Sequence, residues 1–308
     1  MSEKTKYGMG WLPDYPDFRD YGVDQDKVKP ELERLGQTKS VKEMLEEAGV
    51  AEPAKVTLRN SKDLRKWCSP IEDQGTLGSC TAHAGVGIVE YFERRSFGRY
   101  IGASRLFLYK ITRNMLHLTG DLGAHLRTTM GALVLFGVPP EEYWPYQIAD
   151  FDKEPPSFCY AFAQNYQAIS YYRLDPITIT KDELMTRIKA LLSAGLPLMF
   201  GFTVYSSISQ AEKTGKIPYP TSRERILGGH AVDAVGYDDN MEIKNTNAAD
   251  EGTKGALLIR NSWGTEWGNE GYGWLPYEYV MKGLAIDWWS LLRNEWIDTG
   301  EFKVGTDE

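Results

Sequence analysis

Apolar and polar positions change period partway along the chain. From position 80 the run CTAHAGVGIVEYFERR places Ala82, Val86, Val89 and Phe92 at helical spacing, with small residues early that allow close packing. A second helix is expected from Ala103 to about Leu118. A third is expected from His125 to Phe136, stopped by Gly137 with Pro139 and Pro140 beyond. The second half differs. YQAISYYRL (166–174), PLMFGFTV, HAVDAVGYD, GALLIRNSW and GYGWLPY read as strands, rich in β-branched or aromatic residues and bounded by Gly or Asp. One helix, DELMTRIKALLSAG, interrupts them and stops at Gly195. Helices first and strands after predict an α+β protein of two lobes, 61–165 and 166–308.

Residues 1–60 fit neither pattern. GWLPDYPDFRDY alternates aromatics with Pro and Asp and suits an extended segment laid across another surface. DQDKVKPELERLG and SVKEMLEEAGV have helical potential, the second closed by Gly49, and EPAKV then begins a strand-like run. This region reads as an appendage, the alternative being a subdomain integral to the fold.

Composition narrows the function. At 308 residues, 42% hydrophobic and 12% aromatic, the chain has ample material for a core. Against 43 acidic residues stand 35 basic ones, for a net charge of −8 and with no basic stripe, so nucleic acid is not an expected partner. MSEKTKYGMGWLPDYP lacks the apolar run of a signal peptide, and no stretch approaches a membrane span. A cytoplasmic location is the default expectation. Three cysteines, Cys68, Cys80 and Cys159, allow at most one disulfide and leave a thiol free. No Cys or His pair has ligand spacing, so neither metal nor cofactor is expected.

Three segments carry chemistry. In PIEDQGTLGSC (70–80) a glycine-bearing loop delivers Cys80 to the first turn of a helix. The partial positive charge and free N–H groups there stabilise a thiolate and can receive an oxyanion. Gln74 could add a side-chain donor. The plain alternative is a buried cysteine in a glycine-rich turn. About 150 residues on, Gly228-Gly229-His230-Ala231-Val232 opens an apolar strand, its glycines clearing space around the ring. A third segment, Leu258-Ile259-Arg260-Asn261-Ser262-Trp263-Gly264, supplies an Asn carbonyl that could fix the imidazole tautomer, with Trp263 as a shield from water. Alone, it could be an ordinary turn. His83, three residues after Cys80, is a rival base without an evident orienting partner. His117 and His125 look like surface or groove residues.

Taken in order, QGxxGSC, GHAV and RNSWGxxWGxxGY resemble the papain family of cysteine peptidases over roughly residues 61–285. The resemblance implies a helical left lobe carrying Gln74 and Cys80, a β-rich, barrel-like right lobe carrying His230 and Asn261, and an active-site cleft between them. It implies hydrolysis of peptides or proteins, with Cys80 as nucleophile, His230 as base, Asn261 as orienting residue and Gln74 in the oxyanion hole. The chain departs from the pattern at Thr81, where Trp is usual, and at Leu77, where a disulfide cysteine is usual, and so looks more like bacterial or archaeal members. Cys68 and Cys159 remain a possible bridge. The resemblance places Asp287 at the floor of the main pocket, which serves the second residue before the scissile bond, with Gly201, Gly228, His125 and Leu126 as walls. Such a floor would admit Arg or Lys, unless Asp287 is an ordinary exposed carboxylate. Residues 1–60 then look like an inhibitory propeptide, with Gly8–Tyr21 a candidate to occupy the cleft. Rival readings are an acyl or peptidyl transferase using the same thioester, and an inactive binding homologue.

Overall fold

The computed structural model describes residues 6–18, 20–164, 169–248 and 252–305. The described residues between 7 and 29 carry no helix or strand beyond a bridge at Trp11. Two short helices follow, α1 (Pro30–Arg34) and α2 (Val41–Glu47), then a polar strand β1 (Ser61–Asp63). Ser40 and Glu43 close a reciprocal capping box that starts α2. The helical half comprises α3 (Cys80–Phe97), α4 (Arg105–Met115), α5 (Leu126–Phe136) and α6 (Ser157–Ala163). The remaining elements are β2 (Ser170–Arg173), α7 (Lys181–Ser193), β3 (Leu198–Tyr205), β4 (Ile226–Ile243), β5 (Thr253–Arg260), β6 (Tyr272–Pro276), α8 (Tyr277–Met281), β7 (Ala285–Leu292) and α9 (Asn294–Ile297).

The strands form one antiparallel sheet in the order β2-β7-β3-β4-β5-β6, with β1 added beside β4. β2 and β6 are the ends of this path, so the barrel-like lobe is open. His230 pairs with Phe202 of β3, well inside the sheet, and Asn261 follows the last residue of β5. α3 packs against β4. That contact brings the start of the helix to the sheet residue His230. No helix among the described residues is long and apolar enough to cross a membrane.

The two halves are joined through buried charge. Arg260 at the end of β5 donates to Ser69 Oγ (3.0 Å) and to the Pro70 carbonyl (2.9 Å), and its Nη1 lies 3.8 Å from Asp233 of β4. Gly87 of α3 leaves the room for this. A Cβ there would sit 2.2 Å from Arg260 Nη1 and 2.8 Å from Asp233 Oδ2.

Several elements differ from the sequence reading. Pro53–Lys55 is a 3-10 turn rather than the start of a strand, with Pro at its first position. β7 and α6 were not anticipated. β7 is interrupted by Asp287 at a positive φ of 63°, which breaks the alternation of a regular strand. Cys68, Cys80 and Cys159 are all free, so the Cys68–Cys159 bridge does not form. Cys68 donates to the Leu64 carbonyl and Cys159 to that of Tyr143. The YQAISYYRL strand is seen from Ser170; residues 166–168 of it lie outside the described residues.

Candidate active site

Cys80 is the first residue of α3 and is fully buried. Its preceding residue, Ser79, makes no side-chain cap, so the helix N-terminal amides remain open toward the thiol. Backbone amides of Ala231, Gly10, Thr81 and Cys80 itself favour the thiolate, but burial outweighs them and pushes the thiol up to about 11.

His230 Nε2 donates to Asn261 Oδ1 at 2.7 Å, and the Ser262 backbone N–H donates to the same oxygen at 2.8 Å. Two donors on one atom fix the Asn261 amide as an acceptor toward the ring. The proton therefore sits on Nε2. Nδ1 keeps its lone pair, is buried, and has no hydrogen-bond partner. Burial holds the imidazole down at about 4, against the opposing effect of Asn261. Trp263 stacks on the His230 ring, centroid to centroid 4.4 Å, and covers the bond to Asn261.

Gln74 is fixed from several sides. Its backbone N–H donates to the Ser262 carbonyl, its Oε1 accepts from Ser262 Oγ at 2.5 Å, and its carbonyl accepts from Tyr146. Its Nε2 donates to the Leu77 carbonyl (2.8 Å) and to the Gly8 carbonyl (3.1 Å). The rival base His83 is buried and bonded back to Ser79 through Nδ1, with its Nε2 unpartnered. Burial lowers it to about 3. No Asn or Asp orients it, in contrast to His230.

The groove beside these residues is filled by the chain's own N-terminal segment. Gly8 N–H donates to the Gly75 carbonyl, Trp11 N–H to Gly229, Leu12 N–H to Ala124, and Ala124 N–H to Gly10. The segment pairs with Ala124 in parallel. Tyr7 stacks on the face of Trp263, and Met9 lies against Gly228. Trp11 is 4% exposed and occupies a slot walled by Gly201 and Gly229, where a Cβ would fall 1.9 Å and 2.6 Å from Trp11 atoms. These glycines are there because nothing larger leaves space for a ring.

The floor of this slot is Asp287, which is fully buried rather than exposed. Its carboxylate accepts from Trp11 Nε1 (3.0 Å) and Trp289 Nε1 (2.7 Å), with Arg173 Nη1 at 3.3 Å. Burial pushes this carboxyl up to about 6, against Arg173 and both indoles. His125 Nδ1 bonds the Leu12 carbonyl at 3.0 Å, and Leu126 is buried at the start of α5. Thus Asp287, Gly201, Gly228, His125 and Trp263 surround the segment. Sequence reasoning missed Ser262, Arg127 and Arg173, and read Gly229 as clearing space around His230 rather than as a wall of the Trp11 slot. The glycine pair in GGHAV was the available signal for Gly229; the others declare themselves only through tertiary contacts.

Comparisons with known proteins identify the family and the fold. The family model described as papain family cysteine protease matches residues 53–286. An uncharacterized peptidase C1-like protein of Acanthamoeba polyphaga mimivirus is 34% identical over 287 residues, covering 91% of this chain and 85% of its own length. Cathepsin K of Gallus gallus is 29% identical over 208 residues, 67% of this chain and 54% of that protein. Among solved structures, xylellain, a cysteine protease from Xylella fastidiosa, superposes with a TM-score of 0.72 at 31% identity, over 95% of this chain and 98% of that one. With the helical and sheet halves meeting at Cys80, His230 and Asn261, and with this family match over most of its length, the chain belongs to the papain family of cysteine proteases.

Proposed function

We propose that the chain is a cysteine endopeptidase that works through a thioester and is held inactive by residues 7–21. The observation that carries the catalytic reading is the His230–Asn261 bond of 2.7 Å, which leaves Nδ1 as the one ring atom able to exchange a proton with a neighbour. In the reaction, Nδ1 takes the Cys80 proton and the sulfur attacks the scissile carbonyl carbon. The oxyanion is received by Gln74 Nε2 and the Cys80 backbone N–H. The C–N bond breaks as Nδ1 returns its proton to the leaving amine. Water, deprotonated by the same nitrogen, then attacks the thioester and regenerates the thiol.

The bound segment opposes each of these steps. The Gly8 carbonyl takes the Gln74 donor, and the Gly10 N–H, not a carbonyl carbon, faces the sulfur. Burial beneath the segment holds thiol and imidazole neutral at pH 7. Clearing the segment rehydrates both groups and removes the largest penalty on the ion pair.

The pocket over Asp287 reads as a site for a side chain with an N–H or O–H donor on a flat ring, since Trp11 fits it that way. Arg173 already compensates the carboxylate, which disfavours the Lys or Arg expected from the sequence. A positional peptide library on the Trp11→Ala chain tests this. Trp and Tyr should lead at the second position before the scissile bond and lose their lead in Asp287→Ser. A leading preference for Lys or Arg would refute the pocket assignment.

A further inference from the structure

Arg127, in the first turn of α5, lies at the rim of the groove with a side chain 23% exposed. Among the described residues, its polar partners all come from the N-terminal segment. Its Nη1 donates to Asp14 Oδ2, its Nε and Nη2 to Asp20 at 2.7 Å and 2.9 Å, and its Nη2 to the Tyr15 carbonyl at 2.7 Å. No acidic side chain from residues 61–305 pairs with it among the described residues. Arg173, beside it, is different: besides Asp20 and the Asp14 carbonyl of the segment it pairs with Asp175 and Asp287, which lie outside the segment. The Arg127 guanidinium is also held in place independently, over the ring of Trp289 at 5.8 Å, and Trp289 in turn donates to Asp287.

Following the segment from Gly10 at the sulfur, Trp11 fills the pocket, Leu12 contacts Ala124 and His125, and Asp14 reaches Arg127. The guanidinium therefore stands beyond the pocket on the side away from Cys80. We propose that Arg127 forms an anion subsite that selects substrates with Asp or Glu at the third or fourth residue before the scissile bond. This rests on the reading that the segment leaves the groove when substrate enters. Departure strips Arg127 of Asp14 and Asp20 together and leaves a positioned, unpaired cation in a protein of net charge −8. A substrate carboxylate restores the same charge-assisted hydrogen bonds. The subsite depends on where the side chain lies, so it holds although the segment itself runs parallel to Ala124.

The test uses full-length protein carrying Trp11→Ala and peptides of the form Xaa-Xaa-Trp-Gly-aminocoumarin, with Xaa as Asp, Gln or Lys. Asp should exceed Lys by about tenfold in kcat/KM, the size expected of one charge-assisted hydrogen bond at a partly solvated site, mostly through KM. The advantage should shrink in 1 M salt and disappear in Arg127→Gln. Labelled Asp and Lys peptides are also titrated onto the full-length Cys80→Ala, Trp11→Ala protein, which reads the preference without turnover. Tighter binding of the Asp peptide supports the subsite. Equal binding of the two, binding of neither, or a preference that survives Arg127→Gln overturns it. Equal activity of wild type and Trp11→Ala would instead refute autoinhibition, while the Asp–Lys comparison would still be read on either protein.

Discussion

At the scale of single residues, the account depends on four side chains with separate duties. Cys80→Ala should abolish peptide hydrolysis outright. Gln74→Ala should cost about 10²–10³ in turnover, as removing one oxyanion donor does elsewhere, with little change in KM. Asn261→Ala should release the His230 tautomer and lower kcat while thermal stability moves less, measurable by comparing kcat with Tm. These residues were legible in the sequence because each sits in a short glycine-bearing segment whose local form announces itself: QGTLGSC, GGHAV and RNSWG. Arg127, Asp14 and Asp20 were not legible. They are far apart in the chain, belong to no motif, and acquire meaning only where the segment crosses α5. Asp287, expected at a pocket floor, lies against Trp11, but its partner Arg173 lies on β2 and could not be read from spacing.

Elements show where the first sixty residues divide. Residues 7–12 lie along the groove, whereas α2 buries Val41, Met44 and Leu45, and the Gln37 and Thr38 region exchanges hydrogen bonds with Asn294 at the start of α9. Removing everything before Ser61 would therefore strip core side chains, each worth about 1.5–3 kcal/mol of burial, as well as the segment. Such a truncation should lower Tm sharply, and Trp11→Ala should not. The sequence signalled a composition change at the N-terminus but not this division, because α2 looks like any short charged amphipathic helix. β1 was invisible for the opposite reason: Ser61-Lys62-Asp63 is polar throughout and is a strand only by virtue of pairing with β4. Within α3, Gly87→Ala should destabilise the fold by about 1–3 kcal/mol in a denaturant titration, because the added carbon collides with Arg260 and Asp233.

For the whole molecule, buried ionisable groups set the pH response. Burial holds His83 at about 3 and His230 at about 4. The unfolded chain protonates both below about pH 6.5, while the folded chain resists. Their contribution is fully present above that pH and is lost as pH falls toward 4 and 3. Asp287 acts oppositely: burial holds it near 6, so its contribution falls as pH rises from about 4 to 6. Tm measured from pH 4 to pH 7.5 should therefore rise with pH in wild type. The rise should be shallower in His83→Gln and steeper in Asp287→Asn. The proposed autoinhibition would tie stability to activity, because the segment lies over Cys80 and beside His230. The most direct test is the rate at which a peptidyl epoxide alkylates Cys80, followed by intact mass and peptide mapping, in full-length wild type and full-length Trp11→Ala. The account predicts labelling at Cys80 alone and at least tenfold faster in Trp11→Ala. Equal rates, or labelling of Cys68 or Cys159 in place of Cys80, would contradict it.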